Sequence, residues 1–378
     1  MIETPPLVDQ YCQGVLRTEL GLATFEAQLI DSTGPPAAGT TFFDTQTGFA
    51  LRRWCPPLLG LEPHCAPARY LARRRELGAA ESARRLLRGS GVGARLVDTG
   101  VSGDLTGPKE LALAGEGEAF ELARLELLAE QAADTSGTAG AFLANLAEAV
   151  HHATAVAVAF TCGPEAGYPA ALARSPEPPG PGEVRGAAGR WLAGRARGGA
   201  VRDPVLLRHL LWSAVASGLP LQLHVGGGAG EPGPLTEFVR ATAGLGTRLV
   251  LLGGYPYHRQ TARLAAAFPH VHAELGAALG QSGARAAGVL AESLESAPFG
   301  KLMFAGGGRQ LAELHAVGAL VFREALGRVL GGWVADGSWS WRDAERVAAM
   351  VAGGGGRPPG RPPPPRAPPP PAPPGFKG

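Results

Sequence analysis

The 378-residue chain has few of the features that would mark a secreted, membrane-spanning or nucleic-acid-binding protein. Its four cysteines, Cys12, Cys55, Cys65 and Cys162, are widely spaced and form no CxxC pair. That spacing argues against a disulfide framework or a zinc knuckle and leaves packing or surface thiols. The longest apolar runs, such as "ATAVAVAF" and "RLVLLGG", fall far short of the roughly 18 residues that a membrane span needs. The opening "MIETPPLVDQ" has no basic segment followed by an apolar one, so no secretory signal is expected. Lys plus Arg number 35 against 33 Asp plus Glu, and the basic residues are scattered rather than striped, so neither nucleic acid nor an anionic membrane is an expected partner. The expectation is a soluble cytoplasmic protein with a small-molecule ligand, and a homodimer is compatible with the sequence.

What is present is an alternation. Short apolar runs, each ending near a glycine or a polar residue, are followed by Ala-, Leu- and Arg-rich stretches of helical period. The runs predict strands at 7–12, 94–100, 122–128, 154–161, 219–226, 247–254, 270–276 and 301–307. In "DPVLLRHLLWSAVASG", Asp203 is placed as an N-cap, Pro204 at the first helical position and Gly218 at the C-terminal end. Eight strands alternating with helices predict a parallel (β/α)8 barrel, with an open doubly wound sheet as the alternative. Residues 1–352 are assigned to this unit. Within it, residues 32–93 form a long insertion after the first strand, too aromatic and apolar for a linker, that is expected to cap the mouth. Residues 353–378, rich in Gly and Pro and almost devoid of apolar side chains, are expected to be disordered or polyproline II.

Barrel chemistry sits at the C-terminal strand ends. Those ends offer Tyr11, Gln13, Asp98, Glu126, Thr161, Cys162, His224, Gly253, Glu274 and Gly306 to Gly308. A catalytic zinc needs about three His, Asp or Glu ligands, and His224 is the one histidine placed there. Just past the sixth strand, "YPYHR" brings together Tyr255, Tyr257, His258 and Arg259, which read either as a clamp for a substrate carboxylate or as a solvated helix start. In the insertion, Arg53 and Trp54 read as substrate contacts, while Asp44, Arg52 and Arg53 equally read as partners of one another. Asp98 and Glu126 are candidate acids, or structural carboxylates. The glycine run at 226–233 lacks the lysine and Ser/Thr of a phosphate-binding loop.

The succession "LVDxxCxGV", "TTFFDTQTGFALRRWCPPLLGLEPH", "LPLQLHVG", "LLxxYPYHR", "FPHVHAELG", "GARAAGVLAESLESAPFGKLMF" and "DAERVAAMVAGG" resembles the amidohydrolase-related branch of the amidohydrolase superfamily over roughly residues 7 to 356. It looks like actinobacterial members of that branch, similar to the amidohydrolase half of fungal glutamine-synthetase fusion proteins. The resemblance implies a metal-dependent barrel, with a divalent ion such as zinc, that hydrolyses C–N bonds in small substrates. Position by position it also implies losses. Tyr11 and Gln13 stand where relatives carry a His-x-His pair, Gly253 where they carry a histidine, Gly307 where they carry an aspartate, Thr161 where they carry a lysine, and Gly280-Gln281 where they carry Asn-His. His224 is the retained metal-ligand position. The expectation is therefore a degenerate hydrolase that has lost its metal or holds it weakly. The alternatives are a non-catalytic ligand-binding or interaction protein, or a metal-free acid–base enzyme using His224, His258 and Asp98.

Overall fold

The computed structural model describes residues 2–32, 34–195, 198–226 and 229–353. Eight strands follow one another in chain order around a single parallel sheet. They are β1 (Leu7–Gln13), β2 (Val92–Asp98), β3 (Glu118–Arg124), β4 (Ala159–Thr161), β5 (Leu221–His224), β6 (Leu249–Leu252), β7 (Val271–Glu274) and β8 (Leu302–Met303). The sheet closes between its first and last strands: the Gln10 N–H donates to the Phe304 carbonyl at 3.0 Å and the Gln13 N–H to the Gly308 carbonyl at 2.8 Å. The architecture is a (β/α)8 barrel. Among the described residues no helix is long and apolar enough to cross a membrane.

Side chains alternate between two apolar layers, as the period-2 geometry of a strand requires. Tyr11, Leu96, Leu122, Ala159, Val250, Leu252, Met303 and Ala305 fill the barrel interior. Leu7, Cys12, Val97, Phe160, Leu223, Leu251, Ala273 and Phe304 face outward into the packing beneath the helices.

The third strand corrects the sequence reading. It spans Glu118–Arg124, about four residues earlier than expected, and the chain turns into the helix Leu125–Asp134. Leu125, Ala129, Ala132 and Ala133 are buried on one side of that helix, so the apolar run that reads as a strand carries helical spacing. The fourth strand likewise begins at Ala159, because residues 154 to 156 complete the helix Ala139–Val156.

The insertion does two jobs. Its last helix, Ala79–Gly89, is the ordinary crossover between β1 and β2, while Gln46–Leu58 packs against the long helix Ala312–Ala335 that follows β8. A buried cluster fastens the two: Glu313, fully buried in the first turn of Ala312–Ala335, accepts from the Tyr70 hydroxyl at 2.8 Å and from Arg74 Nε at 2.9 Å. Only the start of Gln46–Leu58 reaches the mouth, where Thr47 lines a small cavity with Gly306, Gly307 and Arg309. The Pro-rich segment from 354 onward lies outside the described residues, as do Gly227 and Gly228 of the glycine run.

Candidate functional site

The mouth of the barrel is organised around a cation missed in the sequence. With β3 ending at Arg124, the guanidinium comes alongside the end of β2 and pairs with Asp98 through two nitrogens, with Nε at 3.2 Å from Oδ1. The Tyr11 hydroxyl donates to the other Asp98 oxygen at 2.9 Å, and the Gly100 N–H donates to Oδ1 at 2.9 Å. Asp98 is buried, and this is the full set of partners a buried carboxylate needs. Burial works against the charge on Arg124, but the hydrogen bonds and charge of Asp98 more than offset it and hold the guanidinium protonated. Burial, reinforced by Asp98, pushes the Tyr11 phenol up, so it stays a neutral donor.

His224 meets Tyr11 edge to face, with ring centroids 4.7 Å apart. Its Nε2 is buried without a hydrogen-bond partner. Burial lowers its pKa to about 4 against the opposing pull of Asp98, and the nearby Arg124 adds a smaller push in the same direction as burial. The imidazole is therefore neutral at pH 7. Thr161, on the neighbouring strand, also buries a hydroxyl with no partner.

The opposite half of the mouth carries backbone in place of side chains. Gly253 and Gly307 adopt φ of +74° and +61°, the left-handed region that glycine populates freely and side chains resist. A Cβ at Gly253 would come 3.3 Å from the Val225 carbonyl oxygen, and one at Gly307 would come 3.1 Å from Ala277. Glu274, buried at the end of β7, accepts the N–H groups of Gly253 at 2.9 Å, Ala277 at 2.5 Å and Gly276. Burial nevertheless raises its pKa to about 7, against the lowering effect of those N–H groups.

A cleft of about 330 Å³ opens beside this network, lined by Gln13, Arg124, Glu126, Glu130, Gly163 and Arg202 among others. Glu126 reaches it from the first turn of the helix Leu125–Asp134, not from a strand end. It accepts from the Gly163 N–H at 2.8 Å. Burial raises its pKa to about 7, with that N–H acting the other way.

The remaining candidates lie elsewhere. His258 Nε2 sits 2.7 Å from a Glu292 carboxylate oxygen and its ring stacks on Tyr255 at 5.6 Å. Arg259 donates to Glu295 at 3.2 Å, and Tyr257 lines an outer groove with Arg240, Arg263 and Leu264. The "YPYHR" cluster thus joins one crossover helix to the next. Arg53 forms a two-pronged pair with Glu324, at 2.9 and 2.7 Å, and lies over the Trp54 ring at 4.4 Å. These two residues line a groove between Gln46–Leu58 and Ala312–Ala335. Asp44 is exposed and makes no ion pair with Arg52 or Arg53. Gly280 and Gln281 border the small cavity under Thr47. Phe120, Leu122 and Arg124 taken at period 2 are the signal for Arg124 in the sequence, and the helical spacing of residues 122–128 competes with it.

The donor set does not fit a divalent metal at the mouth. His224 is the only imidazole there among the described residues, Asp98 is consumed by a guanidinium and a phenol, and a metal would have to share the site with the charge of Arg124. Gly253 and Gly307, which stand at two of the ligand positions that the resemblance implies, have left-handed backbone.

No family model matches the chain, and no curated protein matches it. The fold itself has clear counterparts among solved structures. A Lactobacillus casei protein assigned by name as a metal-dependent hydrolase superposes with a TM-score of 0.76 at 20% identity, covering 93% of this chain and 94% of the other. Uronate isomerases from Thermotoga maritima and Bacillus halodurans superpose with TM-scores of 0.58 and 0.59 at 15% and 10% identity, each with more than nine-tenths of both chains covered. At these identities the likeness establishes a shared barrel. The narrower resemblance to actinobacterial and fungal-fusion amidohydrolases rests on the sequence motifs alone.

Proposed function

We propose that the chain is an amidohydrolase-like barrel whose mouth holds no metal, and that it binds a small carboxylate or amide there and does not hydrolyse it. The observation that carries this reading is the Tyr11–Asp98–Arg124 network, which puts a fixed guanidinium where a metal-dependent barrel needs cation ligands. Without a metal, nothing at the mouth lowers the pKa of a water to the neutral range. His224, neutral and flanked by a cation, is a poor general base.

The cleft retains what is needed to hold a ligand. Arg124 Nη1 is free of Asp98 and points along Gly163, so it can donate to a carboxylate or amide oxygen. Gln13 supplies an amide on the same wall. Glu126, whose carboxyl burial raises to about 7, can serve as donor or acceptor. Two proteins with this fold are named for uronates, which are carboxylates. Metal-free acid–base chemistry on His224, His258 and Asp98 has less support, because His258 is engaged by Glu292 and Asp98 is held by Arg124.

Calorimetric titration of the full chain with a panel of small mono- and dicarboxylates and their amides tests the proposal. The expected result is saturable binding that Gln13→Ala weakens severalfold, with no turnover of the amides. Turnover dependent on a metal bound through His224 would overturn it.

A further inference from the structure

A second cluster of metal-ligating groups lies on the other side of β1, away from the mouth. Between Asp9 and Cys12 the pairing register of β1 against β2 slips, as a bulge does. Tyr11 consequently points into the barrel while Cys12 points outward beneath the helices. Asp9 is fully enclosed behind the strand, where its Oδ1 accepts the N–H of Gly306 at 2.8 Å and of Tyr11 at 3.2 Å. His315 comes down on the same spot from the first turn of Ala312–Ala335. The ligand atoms of Asp9, Cys12 and His315 all lie within 4.8 Å of one another, and all three residues are buried.

His315 supplies the independent sign of a missing ligand. Neither of its ring nitrogens has a hydrogen-bond partner, although the side chain is 2% exposed. A buried imidazole with both nitrogens unsatisfied is a costly arrangement for a native protein. The ring is also held firmly: a Cβ on Gly308 would come 2.4 Å from it, so only glycine fits above it, and Glu313 two residues earlier is locked by Tyr70 and Arg74.

We propose that Asp9, Cys12 and His315 form a buried structural site for a borderline divalent ion of the zinc or cobalt class. One sulfur, one imidazole nitrogen and one carboxylate oxygen are the donors that such ions take in tetrahedral geometry, and they disfavour calcium and magnesium. The thiolate and the carboxylate neutralise the two charges of the ion. Burial raises the Asp9 carboxyl to about 7 and pushes the Cys12 thiol up, with the buried Arg95 acting the other way on both, so an ion would displace their protons as it binds. The fourth position goes to a small ligand such as water. Closed off from the cleft, the ion would tie β1 to the helix that follows β8 and so brace the seam where the barrel closes.

The test uses the full chain produced in cells grown on cobalt with zinc withheld, so that metal is present while the chain folds. One cobalt per chain is expected, with a thiolate-to-cobalt charge-transfer band in the near ultraviolet. Cys12→Ser should abolish the band, His315→Gln should lower occupancy about tenfold or more, and His224→Ala should change neither. Circular dichroism confirms that each variant is folded, and the isosteric Asp9→Asn serves where Cys12→Ser is not. Folded wild-type protein without cobalt would overturn the proposal. So would a band that survives Cys12→Ser, since it would come from Cys55, Cys65 or Cys162.

Discussion

Strands β1, β2, β3 and β5 end in side chains that hold one another, Tyr11, Asp98, Arg124 and His224, whereas β6 and β8 end in glycines at positive φ and β7 ends in a carboxylate satisfied by backbone N–H groups. The first half stores its organisation in one ion pair, and the second stores it in backbone conformation. A metal-binding mouth requires ligands from both halves on a common centre. Here the first half carries a guanidinium paired with Asp98, and in the second half a side chain at Gly253 or Gly307 would meet a positive φ and close neighbours.

The largest effect expected from breaking this contrast comes from Arg124→Met. It leaves Asp98 buried with a phenol and one N–H for partners, and removing one member of such a pair costs about 3–5 kcal/mol. Denaturant unfolding should show a loss of that size, and a loss below about 1 kcal/mol would mean that the network does not organise the mouth.

The glycine half should resist restoration. Gly307→Asp and Gly253→His place side chains at φ of +61° and +74°, and each should cost on the order of 1–3 kcal/mol. Combined with Tyr11→His and Gln13→His, they should still fail to create a tight zinc site at the mouth while Arg124 remains. Stability and zinc binding by calorimetry check both statements.

The two halves should also titrate with opposite sign. His224, lowered from 6.5 to about 4 by burial, contributes stability that is intact above pH 6.5 and is lost as pH falls toward 4. Glu274, raised from 4.5 to about 7, contributes stability that is intact below pH 4.5 and is lost as pH rises toward 7. Each slope is at most about 1.4 kcal/mol per pH unit. Subtracting the stability profile of His224→Gln from that of the wild type should give a curve that rises with pH, and the same difference for Glu274→Gln should give one that falls. Two curves of the same sign would dissolve the contrast. Smallest is Tyr11→Phe, which removes one neutral donor from Asp98 while Arg124 stays. It should cost about 0.5–1.5 kcal/mol.

The barrel was legible because its signal is repetitive: eight apolar runs, caps such as Asp203 and Gly218, and a fixed alternation. The strand-end positions of Tyr11, Asp98, His224 and Gly253 follow from it directly. Arg124 was hidden because "LARLELL" satisfies strand and helix periods at once, and burial against neighbouring helices, which no local pattern carries, decides for the helix from Leu125. "YPYHR" stayed ambiguous between a clamp and a helix start because a polar loop after a strand looks the same whether it faces the mouth or contacts Glu292 and Glu295, as His258 and Arg259 do. Asp9, Cys12 and His315 were out of reach for another reason. Strict alternation puts Asp9 and Cys12 on opposite faces, and only the bulge in β1 brings them together beneath a helix some 300 residues later in the chain.

The most direct test of the mouth's character is the zinc retained after dialysis by folded Cys12→Ser protein, in which the buried set behind β1 is disabled and only the mouth could hold an ion. The expected result is essentially no zinc, because His224 alone binds it weakly beside a guanidinium. One zinc per chain, lost on a further His224→Ala substitution, would contradict the proposal that the Arg124 guanidinium keeps a metal out of the mouth.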